Sequence, residues 1–501
     1  MRRRVLPVLV AGVLAACSNG SADDSAPSST TAEEGGVLRM GIARLASLDP
    51  ALVSPDSPSA SIAADLLYDG LTTLAPGSTM AAPGLASEWT TADGGVTWQF
   101  IIDAEATFSD GSAVTAAAAE QSIERVLAQG QASLVAGRLD AVTDVSTVGP
   151  ATVQLTLSRP MASLPELLAA PAYGIVPPTG VESGVSSGPF RLAGTDGDVM
   201  TLTRAAGRSP LLDQVDLHQY DDLGVALDDF ADGELDWTLV PPSRVEAAAE
   251  EFGSDGFVPF QAELFYGFNL ADPRFADPRF RQAIVQAIDR EAIVQAVYLG
   301  TADPLAGVIP DGVPGFDPSR CAAGCAHDPA AAAALLAQAF PAGGVPEVPI
   351  DFPDGADEAA VAGIIEQNLE AVGIPAVLRP HPAAEYSAFA VSGQQGFASL
   401  GWIGVQAIAD DYVARLFRSG SVDNFTGFTD PAVDALIDQA SISLDPAERI
   451  RLHGEAERAI LALAPIAPLA QFRVLTVQSP EVESATPGVT GTFPPTEANV
   501  R

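Results

Sequence analysis

Several residues in this chain stand at spacings that chemistry could use. Gly184-Val185-Ser186-Ser187-Gly188 matches G-x-S-x-G, the frame of a hydrolase nucleophile elbow. Such an elbow needs a strand before the serine and a helix straight after it. Here Val176-Pro177-Pro178 breaks any preceding strand, and Pro189-Phe190-Arg191-Leu192 continues as a strand. The match is therefore read as chance, and a secreted serine hydrolase is set aside. His218, His327, His381 and His453 are scattered, with no H-E-x-x-H and no pair one helical turn apart, so no metal site is expected. Asp221-Asp222 and Asp228-Asp229 lack the spacing of a calcium loop and read as solvated faces. All 25 basic residues are arginine. A P-loop, a pyridoxal Schiff base and a Ser-x-x-Lys nucleophile each require a lysine, so these chemistries are excluded and no cofactor is expected. Cys321 and Cys325, in CAAGC, predict a local disulfide outside the cell; only His327 lies near enough to suggest metal instead.

The third cysteine, Cys17, has a different context. Arg2-Arg3-Arg4, an apolar run from Val5 and Leu14-Ala15-Ala16-Cys17 predict a signal peptide over residues 1–16, because the run is too short to span a bilayer. The ending resembles the lipobox of bacterial lipoproteins, which implies a mature chain tethered through lipidated Cys17. Residues 17–36 are small and polar and read as the anchor and a flexible linker. The formal charge of −39 becomes three units more negative once Arg2 to Arg4 are lost. Such a surface repels nucleic acid and anionic lipid, so the only membrane contact expected is the anchor.

At 501 residues, 47% of them hydrophobic, the chain needs more than one core. Val37–Ile42, Trp98–Ile102 and Thr152–Leu157 alternate as strands, and Phe190–Leu192 with Val199–Thr203 reads as a hairpin. Ile62–Leu74 has helical spacing, and Thr115 is a candidate cap for a helix to Leu127. Beyond the middle, Asp277-Pro278, Asp328-Pro329, Asp430-Pro431 and Asp445-Pro446 open helices, and Asp289 caps one carrying Ile293 and Val297. Short strands at Pro349–Phe352, Ala376–Arg379 and Gly396–Leu400 lie between them. Interleaved strands and helices in two blocks predict an α/β fold of two lobes.

The segments carry a family pattern. It comprises Ser47-Leu48-Asp49-Pro50, Tyr68-Asp69-Gly70-Leu71, Pro83-Gly84-Leu85-Ala86 with Trp89, Phe108-Ser109-Asp110-Gly111, and Ser187-Gly188-Pro189-Phe190. Gly267-Phe268-Asn269 leads into Asp277, Arg279, Arg281-Gln282-Ala283-Ile284 and Ala287-Ile288-Asp289-Arg290; Gly401-Trp402-Ile403-Gly404 and Phe428-Thr429-Asp430-Pro431 follow. In this order the chain resembles the extracytoplasmic solute-binding proteins of ABC importers, family 5, which bind dipeptides, oligopeptides or nickel.

The resemblance implies a periplasmic-binding-protein-like (type II) fold with the ligand at the hinge. Lobe I would span 37–262 plus 470–501, with an extra subdomain at 60–186, and lobe II would span 263–469. The implied protein is a monomer on the outer face of the cytoplasmic membrane that hands a peptide-like solute to permease subunits. A nickel chelate or metallophore, an oligosaccharide, or a sensory lipoprotein without transport are the alternatives. Peptide binders of the family place an Asp three residues after the Trp of Gly-Trp. Here that position is Val405, with Asp410 and Asp411 as candidate replacements. Trp402, Ser54, Asp56, Tyr266 and Asn269 are the remaining candidate ligand contacts.

Overall fold

The computed structural model describes residues 35–500, apart from 76, 77, 131, 132 and 495. Cys17 and the expected signal peptide lie outside the described residues. The molecule is a two-lobed α/β assembly in which two long strands belong to both lobes.

The first strand, Val37–Ala43, forms because Leu38, Met40 and Ile42 alternate onto one buried face. It pairs in parallel with Gln214–Tyr220 and Trp237–Leu239. Val199–Arg204 and Phe190–Asp196, the expected hairpin, extend this sheet antiparallel. A separate antiparallel sheet carries 86–91, 97–102, 152–157 and 142–147 in that order. Against it packs the helix Ala116–Leu127, whose cap is Thr115 accepting from the Ala118 amide.

In the second half, Phe257–Phe268 lies between Phe397–Ile403 and Ile466–Gln478, antiparallel to both. Val348–Pro353 and Ala376–His381 add parallel strands beyond Phe397–Ile403. Helices opened by Asp277, Asp328, Asp430 and Asp445 all have that Asp side chain accepting from a first-turn amide. Phe280 and Ile284 on the first of them are fully buried. Cys321 and Cys325 are joined, their Cα atoms 5.2 Å apart.

Two elements depart from the periodicity. The helix expected over Ile62–Leu74 runs from Pro58 to Leu67, because Ser57 caps it earlier and the chain turns extended at Thr72–Leu74. Gly70 lies between: a Cβ there would meet the Leu168 carbonyl at 2.7 Å. The helix capped by Asp289 keeps one α turn, Arg290–Ile293, then widens over Val294–Tyr298 and ends on Leu299 at φ 43°.

Ile466–Gln478 pairs with Trp237–Leu239 near its end and with Phe257–Phe268 between Ile466 and Leu475. The two long strands therefore connect both halves of the sheet. Their register breaks twice near the junction: Pro259 faces Arg473 but Glu263 faces Gln471, so four steps on one strand match two on the other, and Leu264 faces Ala470 while Phe265 faces Pro468. Such a bulge bends and locally twists the pair.

Candidate ligand-binding cleft

Three cavities are lined by residues from both halves of the sequence. One, about 1030 Å³, lies between Asp65, Asp69 and residues near 484–494 on one side and Gly312–Pro314, Gln406 and Ala407 on the other. A second, about 650 Å³, is lined by Leu134, Arg138, Glu263, Trp402, Phe425 and Phe472. A third, about 260 Å³, contains Asp410 and Asp411 with four arginines.

The segment between Gly404 and Asp411 separates them. It leaves the Phe397–Ile403 strand and packs Val405 and Ile408 into the core built around Phe100, Leu155 and Tyr173 of the first half. Val405 is 5% exposed. Its side chain offers no charge to a cavity; it is part of the apolar contact between the halves. The Val405 amide donates to Asp411 Oδ2 at 2.9 Å.

Asp411 is committed to Arg138. The Arg138 guanidinium reaches Asp411 Oδ1 at 2.5 Å, donates to the Ile403 carbonyl at 2.7 Å and lies 4.1 Å over the Trp402 ring. Burial pushes the Asp411 carboxyl up, and the Arg138 charge opposes that shift. Asp410 faces His453 at 3.2 Å. Burial acts to raise Asp410, but His453, Arg449 and Ser163 outweigh it and hold the carboxyl below its usual range. The arginines around the small cavity are likewise matched: Arg159 by Asp140, Arg415 by Asp423 and Arg418 by Asp438. Neither Asp410 nor Asp411 is an uncommitted anion.

The other candidates separate clearly. Trp402 lines the 650 Å³ cavity and is otherwise buried against Phe425 at 6.3 Å. Tyr266 is fully buried, its ring 5.1 Å from Phe397, and lines none of these cavities. Asn269 is a structural residue: its amide donates to the Gly393 and Gln395 carbonyls and its oxygen accepts from Ala271. Ser54 and Asp56 are exposed and line none of these cavities. The G-x-S-x-G serine, Ser186, is buried and donates to the Phe190 carbonyl at 2.6 Å; a strand follows it, so no elbow forms.

Residues not anticipated are Arg138, Asp65 and Glu263. Asp65 lines the 1030 Å³ cavity and is pushed up to about 8 by burial and then by Asp69. Asp69 is itself raised to about 6 by burial, opposed by Arg208 at 2.9 Å. Glu263 left a sequence signal, one charged residue within FVPFQAELFYGF. Arg138 left none, because its partner lies 273 positions away, at Asp411.

Comparisons with known proteins agree with this architecture. The family model for bacterial extracellular solute-binding proteins, family 5, matches residues 81–425. The chain is 24% identical to the glutathione-binding protein GsiB of Escherichia coli O157:H7, over 79% of this chain and 81% of that one. The unliganded open form of the periplasmic murein tripeptide binding protein MppA superposes with a TM-score of 0.83 at 21% identity, covering 95% of this chain and 99% of that one. The Helicobacter pylori binding protein DppA, in complex with the peptide STSA, superposes at 0.66 with 20% identity, covering 93% and 98%. These relatives are binding proteins, not enzymes. The chain belongs to the bacterial extracellular solute-binding proteins of family 5.

Proposed function

We propose that this chain is the lipid-anchored solute-binding component of an ABC importer, which captures a peptide-like solute by lobe closure and delivers it to permease subunits. The observation that carries the reading is the register break between the two long strands, placed beside cavities lined from both halves. A bend there moves one half against the other while each sheet stays intact, and a solute between them is buried by the motion. On this reading the hinge lies near Ala262 and Ala470, with residues 37–262 plus 470–501 moving against 263–469. The relatives named for glutathione, a murein tripeptide and a bound peptide support a peptide-like solute. The protein works as a monomer on the outer face of the cytoplasmic membrane, held by Cys17.

A thermal-shift screen of the full chain against di- to hexapeptides, nickel chelates and oligosaccharides tests the solute class. A ligand at 100 times its Kd stabilises the native state by about 2.7 kcal/mol, a readily measured rise in Tm. Stabilisation by chelates or sugars with none by peptides would replace the peptide assignment. For the anchor, wild-type cells should incorporate labelled palmitate into the chain and Cys17→Ser cells should not. Continued labelling of the variant would remove Cys17 as the attachment point.

A further inference from the structure

Glu263 is 2% exposed, and among the described residues neither carboxylate oxygen has a hydrogen-bond partner. It stands on Phe257–Phe268 at the register break, opposite Trp402 on one neighbour and Gln471 on the other. Residues paired across strands share a sheet face, and so do residues two apart on one strand. That face also holds Gln261, whose Oε1 is buried and unpaired, and Trp402, whose Nε1 is buried and unpaired. Three acceptor atoms and one donor are thus left open in one patch beside the 650 Å³ cavity that Glu263 and Trp402 line. Buried polar atoms in folded proteins are almost always satisfied, so such a concentration calls for an occupant.

The surrounding charges say what kind. Asp411 is neutralised by Arg138, while Glu457 accepts from the Val308 and Ile309 amides at 2.8 and 2.9 Å and pairs with Arg320. Tyr412 lies on the same side, its hydroxyl donating to the Gln261 carbonyl at 2.9 Å. Each neighbouring acid has its own cation, and Glu263 has none. Burial, then Glu457 and Asp411, drive its carboxyl well above the usual range, so the empty site holds a proton there. A cationic donor would displace that proton and restore the pairing that a buried carboxylate requires.

We propose that Glu263 is the receptor for an ammonium group of the solute, with Gln261 Oε1 as second acceptor and Trp402 Nε1 donating to a neighbouring solute oxygen. This rests on the solute-binding reading above and narrows it to solutes carrying a free amine beside a carbonyl or carboxylate. Filling the site with a cation favours loss of that proton, so binding is coupled to proton release.

The test compares the full wild-type chain with Glu263→Gln, using trialanine, N-acetyl-trialanine and n-butylammonium chloride as probes in titration calorimetry. Two buffers of different ionisation enthalpy give the proton count. Wild type should bind trialanine at least tenfold more tightly than the acetylated peptide, with a net release of protons. Glu263→Gln should abolish both the preference and the release, a loss of roughly 10- to 100-fold in affinity for one charge-assisted contact. The variant removes a buried uncompensated acid, so it should fold at least as well as wild type. Equal binding of both peptides, unchanged in the variant, overturns the receptor and leaves the peptide reading standing. Glu263-dependent binding of n-butylammonium without binding of either peptide upholds the receptor and overturns the peptide reading. Binding of none of the three probes overturns the ammonium site.

Discussion

Replacing Arg138 by alanine should destabilise this protein far more than any surface ion pair would. Arg138 and Asp411 have side chains 4% and 1% exposed, 2.5 Å apart, and they belong to different halves of the molecule. With Arg138 gone, Asp411 stays buried and keeps the Val405 amide as a donor. Removing one partner of a buried pair costs about 3–5 kcal/mol, because the other charge is left uncompensated. That figure already contains the bond to the Ile403 carbonyl, about 1 kcal/mol, and part of the stacking on Trp402. We expect a loss of about 4 kcal/mol for Arg138→Ala, measured by urea denaturation at pH 7. The double variant Arg138→Leu/Asp411→Leu should recover about half, since two apolar residues leave no orphaned charge. A double-mutant cycle should accordingly give a coupling above about 1 kcal/mol. Raising salt from 0.1 to 1 M should change the coupling little, as a buried pair is weakly screened. A cost under 1 kcal/mol for Arg138→Ala, or additive single variants, would refute the argument that this pair holds the halves together.

Other consequences can be measured the same way. Gly188→Ala should destabilise by more than about 2 kcal/mol in urea, because its Cβ would sit 2.7 Å from the Leu67 carbonyl carbon and the Tyr68 amide nitrogen, both backbone atoms that cannot step aside. Asp430→Ala removes the cap that accepts from the Ala432 and Val433 amides and should cost about 1 kcal/mol. Leu299→Gly, at φ 43° and 55% exposed, should be neutral or mildly stabilising, whereas Leu299→Val should destabilise through β-branching at that conformation. For Asp65, whose folded-state carboxyl titrates near 8, the folded protein holds a proton that the unfolded chain gives up near 3.8. The resulting penalty is absent below about pH 4 and grows until pH 8. Asp65→Asn should therefore leave Tm unchanged at pH 4 and raise it increasingly toward pH 8; an equal rise at both values would contradict the assignment.

The sequence made the elements legible where the signal was local. Asp-Pro openings at 277, 328, 430 and 445 and the Thr115 cap all fall at helix starts, because a cap is decided by residues two or three apart. The helix near Ile62 is shorter than its apolar spacing predicts, because that spacing continues past the point where Gly70 packs against distant backbone. Trp402 was found through the family pattern, and it lines a cavity. Tyr266 and Asn269 fitted the same pattern; their contacts with Phe397 and the Gly393 carbonyl come from positions that no local window contains. Asp411 looked like a free carboxylate because Arg138 is remote in the chain.

The pairing of Trp237–Leu239 with Ile466–Gln478 also sets the order in which the protein can be finished. One edge of the N-terminal sheet has no partner until a strand more than 200 residues downstream emerges from the ribosome. Trp237 gains its indole acceptor, the Ala485 carbonyl, later still. Closing so long a loop is slow, and the waiting edge offers unpaired amides and carbonyls to any chaperone or neighbouring chain. The first half cannot complete its sheet until that distant strand has been made, so the nascent chain stays unfinished while everything between the two is synthesised.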